Sequence, residues 1–247
     1  MINFVWAITA SFILSLISLI GIFSILLKDK FLERILILLI GFSAGGLIGG
    51  AFLHLLPEAL EQSNHSEVFL YTIIGFVFFF ILERYLHWRH CHEENCSVHA
   101  FTYLNLIGDG IHNFSDGLVI GASFIISINF GVITTLVLIF HEIPQEIGDF
   151  GILIYGGFSR AKALFYNFIS ALTCVIGTAI GYYLTSMIAN FSSFLLPLTA
   201  GGFIYIAACD LIPELHKQTE LKRTAFSMLA FLAGIAFILL TRLIHLH

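Results

Sequence analysis

Two short runs carry nearly all the chemistry available in the middle of this chain. The first is Asp109-Gly110-Ile111-His112-Asn113-Phe114-Ser115-Asp116-Gly117 and the second is His141-Glu142-Ile143-Pro144-Gln145-Glu146-Ile147-Gly148-Asp149. Both lie inside apolar stretches. At 100° per residue, Asp109, His112, Asn113 and Asp116 fall within an arc of about 100° of a helix, and His141, Glu142, Gln145, Glu146 and Asp149 within about 140°. Neutral imidazole and carboxylate at an i, i+4 spacing, as in His112 and Asp116, can both ligate one divalent cation. Left unpaired in lipid, the seven ionisable side chains of the two runs would cost about 20 kcal/mol at roughly 3 kcal/mol each. They must therefore face one another, water or a bound cation.

The elements that position them are membrane spans. With 58% hydrophobic and 11% charged residues, 26 Phe and a mean hydropathy of +0.96 over 247 residues, the chain lies outside the range of soluble domains. Apolar runs long enough to cross a hydrocarbon core of about 30 Å fall at roughly 4–27, 35–60, 67–88, 100–127, 130–157, 161–188, 194–215 and 223–245. The fold class is thus all-α, a single polytopic domain of eight transmembrane helices over 1–247. The first run lacks a basic leader and a small-residue cleavage site, so it is expected to be a retained span with the mature chain starting at Met1. The four Cys residues have no disulfide-scaffold spacing.

Lys28, Lys30, Arg34, Arg84, Arg89, Arg160, Lys162, Lys217, Lys222 and Arg223 all fall at odd-to-even connections, leaving Arg242 alone on the other side. The positive-inside rule then makes those connections cytoplasmic and both termini extracytoplasmic. Spans 4 and 5 are joined near Ser127 to Asn129, a link too short to avoid antiparallel neighbours. His112 and His141 come to nearly the same depth, so the polar faces can converge. Pro144 removes one amide donor and exposes the carbonyl a turn earlier, as backbone lining a cavity tolerates.

An internal echo relates the two halves. Gly45-Gly46-x7-His54-Leu55-Leu56-Pro57-Glu58 in span 2 is matched by Gly201-Gly202-x7-Asp210-Leu211-Ile212-Pro213-Glu214 in span 7, 156 residues on. Spans 2 and 7 run in opposite directions, so the relation is a pseudo-symmetric inverted repeat of the kind found in transporters.

These motifs resemble the ZIP (Zrt/Irt-like) divalent-metal transporters, whose fourth helix reads His-Asn-x-x-Asp/Glu-Gly and whose fifth reads His-Asp/Glu/Asn-x-Pro. The matches are His112-Asn113-x-x-Asp116-Gly117 and His141-Glu142-x-Pro144-Gln145-Glu146, supported by the two Pro-Glu motifs and the eight-helix plan. The resemblance implies a metal centre between helices 4 and 5, with His112, Asp116 and His141 as ligands and Asn113 and Glu142 on an adjacent second site. Gln145 stands where many members carry Glu or His, and Cys174 aligns with a helix-6 position where some carry Glu. A neutral amide brings no charge to a second ion, so one tightly held metal is expected, with Gln145 at most a weak ligand.

Asp109, Glu146, Asp149, His54, Glu58, Asp210 and Glu214 are the candidate transport-pathway residues. A cytoplasmic loop over 87–99 adds His87, His90, Cys91, His92, Cys96 and His99, a metal-accepting set without the Cys-x2-Cys spacing of a tetrahedral site. The implied function is movement of Zn2+ into the cytoplasm across the cell (inner or plasma) membrane, with iron, manganese, cobalt or cadmium as further cargo. Three Met and no thiolate pair argue against Cu(I). The partners are divalent metal ions and the lipid bilayer, with a homodimer allowed and no nucleic acid. An intramembrane zinc protease or hydrolase is the competing class, but it would want His-Glu-x-x-His, and here the fifth position is Gln145. A cation channel or proton-coupled solute carrier would need the carboxylates but not paired imidazoles.

Overall fold

A computed structural model of the protein describes residues 2–21, 29–88, 98–155 and 157–245. Among these residues the chain forms eight long helices and no strand. They are α1 (Ile2–Ile20), α2 (Asp29–Gly49, continuing through Gly50–Leu55 and Leu56–Gln62), α3 (His65–Trp88), α4 (Val98–Ile126), α5 (Ile128–Tyr155), α6 (Arg160–Met187), α7 (Phe191–His216) and α8 (Leu221–His245). Seven of them are both long and apolar enough to cross a membrane; the exception is α4. Its 29 residues span about 43 Å at 1.5 Å per residue, so length is not what sets it apart. Asp109, His112, Asn113 and Asp116 lower its apolarity because they serve the interior of the bundle. The expected spans agree with the helices to within a few residues, apart from 22–28 at the end of span 1, which lie outside the described residues.

The helices meet at backbone distance wherever glycine allows it. A Cβ on Gly117 or Gly121 of α4 would lie 2.0 or 2.3 Å from the carbonyls of Cys174 or Thr178 on α6. Reciprocally, one on Gly177 or Gly181 would strike the carbonyls of Phe114 or Leu118. Small residues give membrane helices this close packing, where water supplies no hydrophobic drive between them. The outer helices α3 and α8 instead present Phe69, Ile73, Phe80, Ile81, Phe226, Leu229, Leu232 and Leu240 on the exposed surface, as lipid-facing helices must.

The repeat inferred from sequence is legible in the packing. Gly45 of α2 abuts the Phe231 carbonyl of α8, and Gly201 of α7 abuts the Thr72 carbonyl of α3. Gly234 of α8 abuts the Phe42 carbonyl, and Gly75 of α3 abuts that of Leu198. Residues on α2 and α7 thus correspond at an offset of 156, as the motifs do, and those on α3 and α8 at 159. Even the helical defects correspond: Gly50–Leu55 and Ile206–Leu211 are both π-helical. Each is closed by an i to i−5 hydrogen bond, Leu56 N–H to the Ala51 carbonyl and Ile212 N–H to that of Ala207. Pro57 and Pro213 follow directly, and a proline ring that clashes with the carbonyl four residues back favours such widening.

Candidate metal centre

Helices α4 and α5 are joined by Ser127 alone. Its N–H donates to the Ser123 carbonyl and its carbonyl accepts from Gly131 N–H, so it belongs to both helices. Its Oγ accepts from Phe130 N–H at 3.0 Å, capping α5. The helices are therefore antiparallel neighbours, and their polar faces meet. Pro144 behaves as its chemistry requires: the carbonyl four residues earlier, Phe140, is taken by the Ser43 hydroxyl of α2. The Phe42 ring packs against Phe140 with centroids 4.7 Å apart.

His112, Asp116, His141 and Glu142 each offer one ligand atom, all within 4.8 Å of one another. The His112 and His141 Nε2 atoms are 3.1 Å apart. Glu142 Oε1 lies 3.3 Å from the first and 3.2 Å from the second, and Asp116 Oδ2 lies 3.7 and 3.4 Å from them. A tetrahedral zinc with bonds of 2.0–2.1 Å needs ligand atoms about 3.3 Å apart. The five distances, 3.1–3.7 Å, bracket that value. Asp116, His141 and Glu142 are 3%, 2% and 1% exposed, which excludes a solvated acidic patch. Asp116 Oδ2 and both Glu142 oxygens have no hydrogen bond, a costly condition for buried carboxylates that a divalent cation among them would remove.

Glu142 thus stands in one group of four with the two imidazoles and Asp116. Asn113 is turned away from this group: its Nδ2 donates to Asp109 Oδ1 at 2.8 Å and to the Asp109 carbonyl at 3.2 Å. Gln145 is half-buried one helical turn beyond His141.

Toward the far ends of α4 and α5 from Ser127, the remaining acids are held by amides. Asn105 Nδ2 donates to Asp149 Oδ1 at 2.9 Å, and Asn167 of α6 donates to Glu146 Oε2 at 2.5 Å and to the Ser18 carbonyl of α1 at 3.3 Å. Asp109 Oδ2 and Asp149 Oδ2 are buried without a hydrogen bond. On the other side of the cluster His54 Nε2 meets Thr134 Oγ1 at 2.9 Å, and its ring stacks on Phe130 at 3.9 Å. Glu58 accepts from Gln62 four residues on at 2.6 Å. Asp210 and Glu214 are exposed, and Glu214 pairs with Lys217. Neither joins the buried group. Of the loop candidates, His90, Cys91, His92 and Cys96 lie outside the described residues, as do the side chains of His87 and His99.

Asn105 and Asn167 were not singled out from sequence. The available signal was modest: each is an isolated amide in an apolar stretch, the commonest bland feature of a membrane helix.

Comparison with known proteins identifies the family. The family described as ZIP zinc transporter matches residues 4–100 and 89–242. Zinc transporter ZIP13 of Pongo abelii is 34% identical over 217 residues, covering 82% of this chain and 65% of that protein. Zinc transporter zipt-7.1 of Caenorhabditis briggsae is 30% identical over 74% of this chain and 62% of its own length. Zinc transporter YKE4 of Saccharomyces cerevisiae is 32% identical over 81% and 68%. The matched region thus spans less than two thirds of the first two relatives. With the family matched over nearly the whole chain and the buried His and carboxylate group lying between its fourth and fifth helices, this protein belongs to the ZIP zinc transporter family.

Proposed function

We propose that the protein transports zinc across the membrane, holding one Zn2+ between α4 and α5 on His112, Asp116, His141 and Glu142. The observation that carries this reading is the convergence of those four ligand atoms, all within 4.8 Å of one another, in the middle of an apolar bundle. Two imidazoles and two carboxylates bind zinc without the closed thiolate cage that would hinder release, and they also accept iron, manganese, cobalt or cadmium. The relatives' names are those of transporters, which leaves an intramembrane hydrolase without support.

Asp109, Glu146 and Asp149 lie one to two turns from the group, at the ends of α4 and α5 that adjoin the base-rich connections. By the positive-inside rule that side is the cytoplasm, so these acids form the exit and His54 lines the entry. Asn113 and Gln145 supply at most a weak second position, and the loop over 87–99 collects released metal. Uptake of zinc into proteoliposomes tests the reading. His112→Ala and Asp116→Ala should each abolish it while leaving expression and detergent-solubilised folding intact. Undiminished uptake in both variants would remove the assignment.

A further inference from the structure

A cleft of about 280 Å³ opens between the N-terminal ends of α2 and α8, away from the metal centre. Its polar wall is made by Arg34, Lys222 and Arg223, and its apolar wall by Ile37, Leu38 and Phe226. Glu220 also lines it, so among the described residues the formal charge is three bases less one acid, or +2. Glu220 is engaged by Arg223, whose Nε donates to its Oε2 at 3.0 Å. Among the described residues neither Arg34 nor Lys222 has an ion-pair partner. The first turn of α8, which starts at Leu221, adds the positive end of a 25-residue helix to the same place.

The apolar wall does not close over the cleft. Leu38 is 41% and Phe226 61% exposed, and both continue onto the outer face of α8, where Leu229 and Leu232 are exposed as well. A ligand that fits must therefore be anionic at one end and apolar at the other, with its apolar part running along the lipid-facing surface. Basic pockets between membrane helices at the interface hold phospholipid headgroups in this way. A soluble anion would satisfy the bases but leave the adjoining apolar wall without a partner.

We propose that this cleft is a binding site for an anionic phospholipid, with its phosphate on Arg34 and Lys222 and an acyl chain over Leu38 and Phe226. The site shares no residue with the metal centre, so it stands or falls separately from the transport reading. The test is lipid retention by the full chain in neutral detergent, read by native mass spectrometry after exposure to phosphatidylglycerol, phosphatidylcholine or glycerol phosphate. Wild-type protein should keep phosphatidylglycerol in preference to the other two. The preference should weaken roughly fivefold for each base removed in Arg34→Gln and Lys222→Gln. Glu220→Gln should strengthen it, a gain that a misfolded protein cannot mimic. Lys162→Gln, at a different base-rich connection, should leave it unchanged. No preference in wild type, retention of glycerol phosphate alone, an unchanged preference in the Arg34 and Lys222 variants or in Glu220→Gln, or an equal loss in Lys162→Gln would each overturn the site.

Discussion

His112 Nε2 on α4 lies 3.1 Å from His141 Nε2 on α5, so the two imidazole nitrogens face one shared position. Two protonated rings cannot keep this contact, because each Nε2 would then present a hydrogen to the other. On the proposed reading, metal and protons therefore compete for the same lone pairs. Acidification should raise the apparent KM for zinc, by up to about tenfold per pH unit for each imidazole that must lose its proton. Zinc uptake measured at a series of zinc concentrations from about pH 8.5 to about pH 5.5 reads that competition. Uptake that is flat across that range would argue against two imidazole ligands.

Metal stoichiometry separates Glu142 from Gln145. Elemental analysis of the wild-type chain should give one tightly held zinc. Glu142→Gln should keep that number at saturation but weaken binding by roughly tenfold or more, since it removes a charge-bearing ligand. Gln145→Glu should raise the number toward two, because a further carboxylate beside Asp116 and Glu142 offsets the repulsion between adjacent cations. Two tightly bound ions in wild type, both lost in His112→Ala, would refute the single-ion reading.

Glycine substitutions test the packing symmetry. A Cβ on Gly45 would sit 1.9 Å from the Phe231 carbonyl, and one on Gly201 would sit 2.0 Å from that of Thr72. Gly45→Ala and Gly201→Ala should therefore each destabilise the bundle by about 1–3 kcal/mol, the usual range for overpacking. Gly46→Ala and Gly148→Ala meet nothing within 4 Å and should leave thermal stability in detergent unchanged.

Orientation is tested by labelling single cysteines in a background without native Cys. Ser63 and Ser192 should react from outside, and Ser159 and Thr219 from inside. The Ser192 hydroxyl donates to Gln62 Oε1 at 2.7 Å, which puts the first two positions at one end of the bundle. External reaction at Ser159 would reverse the topology.

Much of this was legible in the sequence because lipid permits so few alternatives. Span lengths, the facing of α4 and α5, and the convergence of His112, Asp116 and His141 all follow from apolar run length, helical period and a short link. The placement of Glu142 did not. Its helix carries polar residues over a broad arc, and which of them reaches the partner helix depends on local rotation that periodicity cannot resolve. The paired π-helical stretches were equally hidden, although Pro57 and Pro213 marked where they end. The roles of Asn105 and Asn167 depend on contacts between helices distant in sequence, Asn105 with Asp149 and Asn167 with both Ser18 and Glu146.

Ser127 sets the mechanics of the bundle's centre. A one-residue joint whose N–H and carbonyl are both committed to helical hydrogen bonds leaves α4 and α5 no slack to slide past each other. Like the two arms of a pair of tongs, they can only change their angle about that pivot. His112 and His141 sit about 22 Å along the arms at 1.5 Å per residue, and Asp109 and Asp149 sit farther out. A small splay about that joint therefore widens the acid-bearing tips more than the imidazole pair.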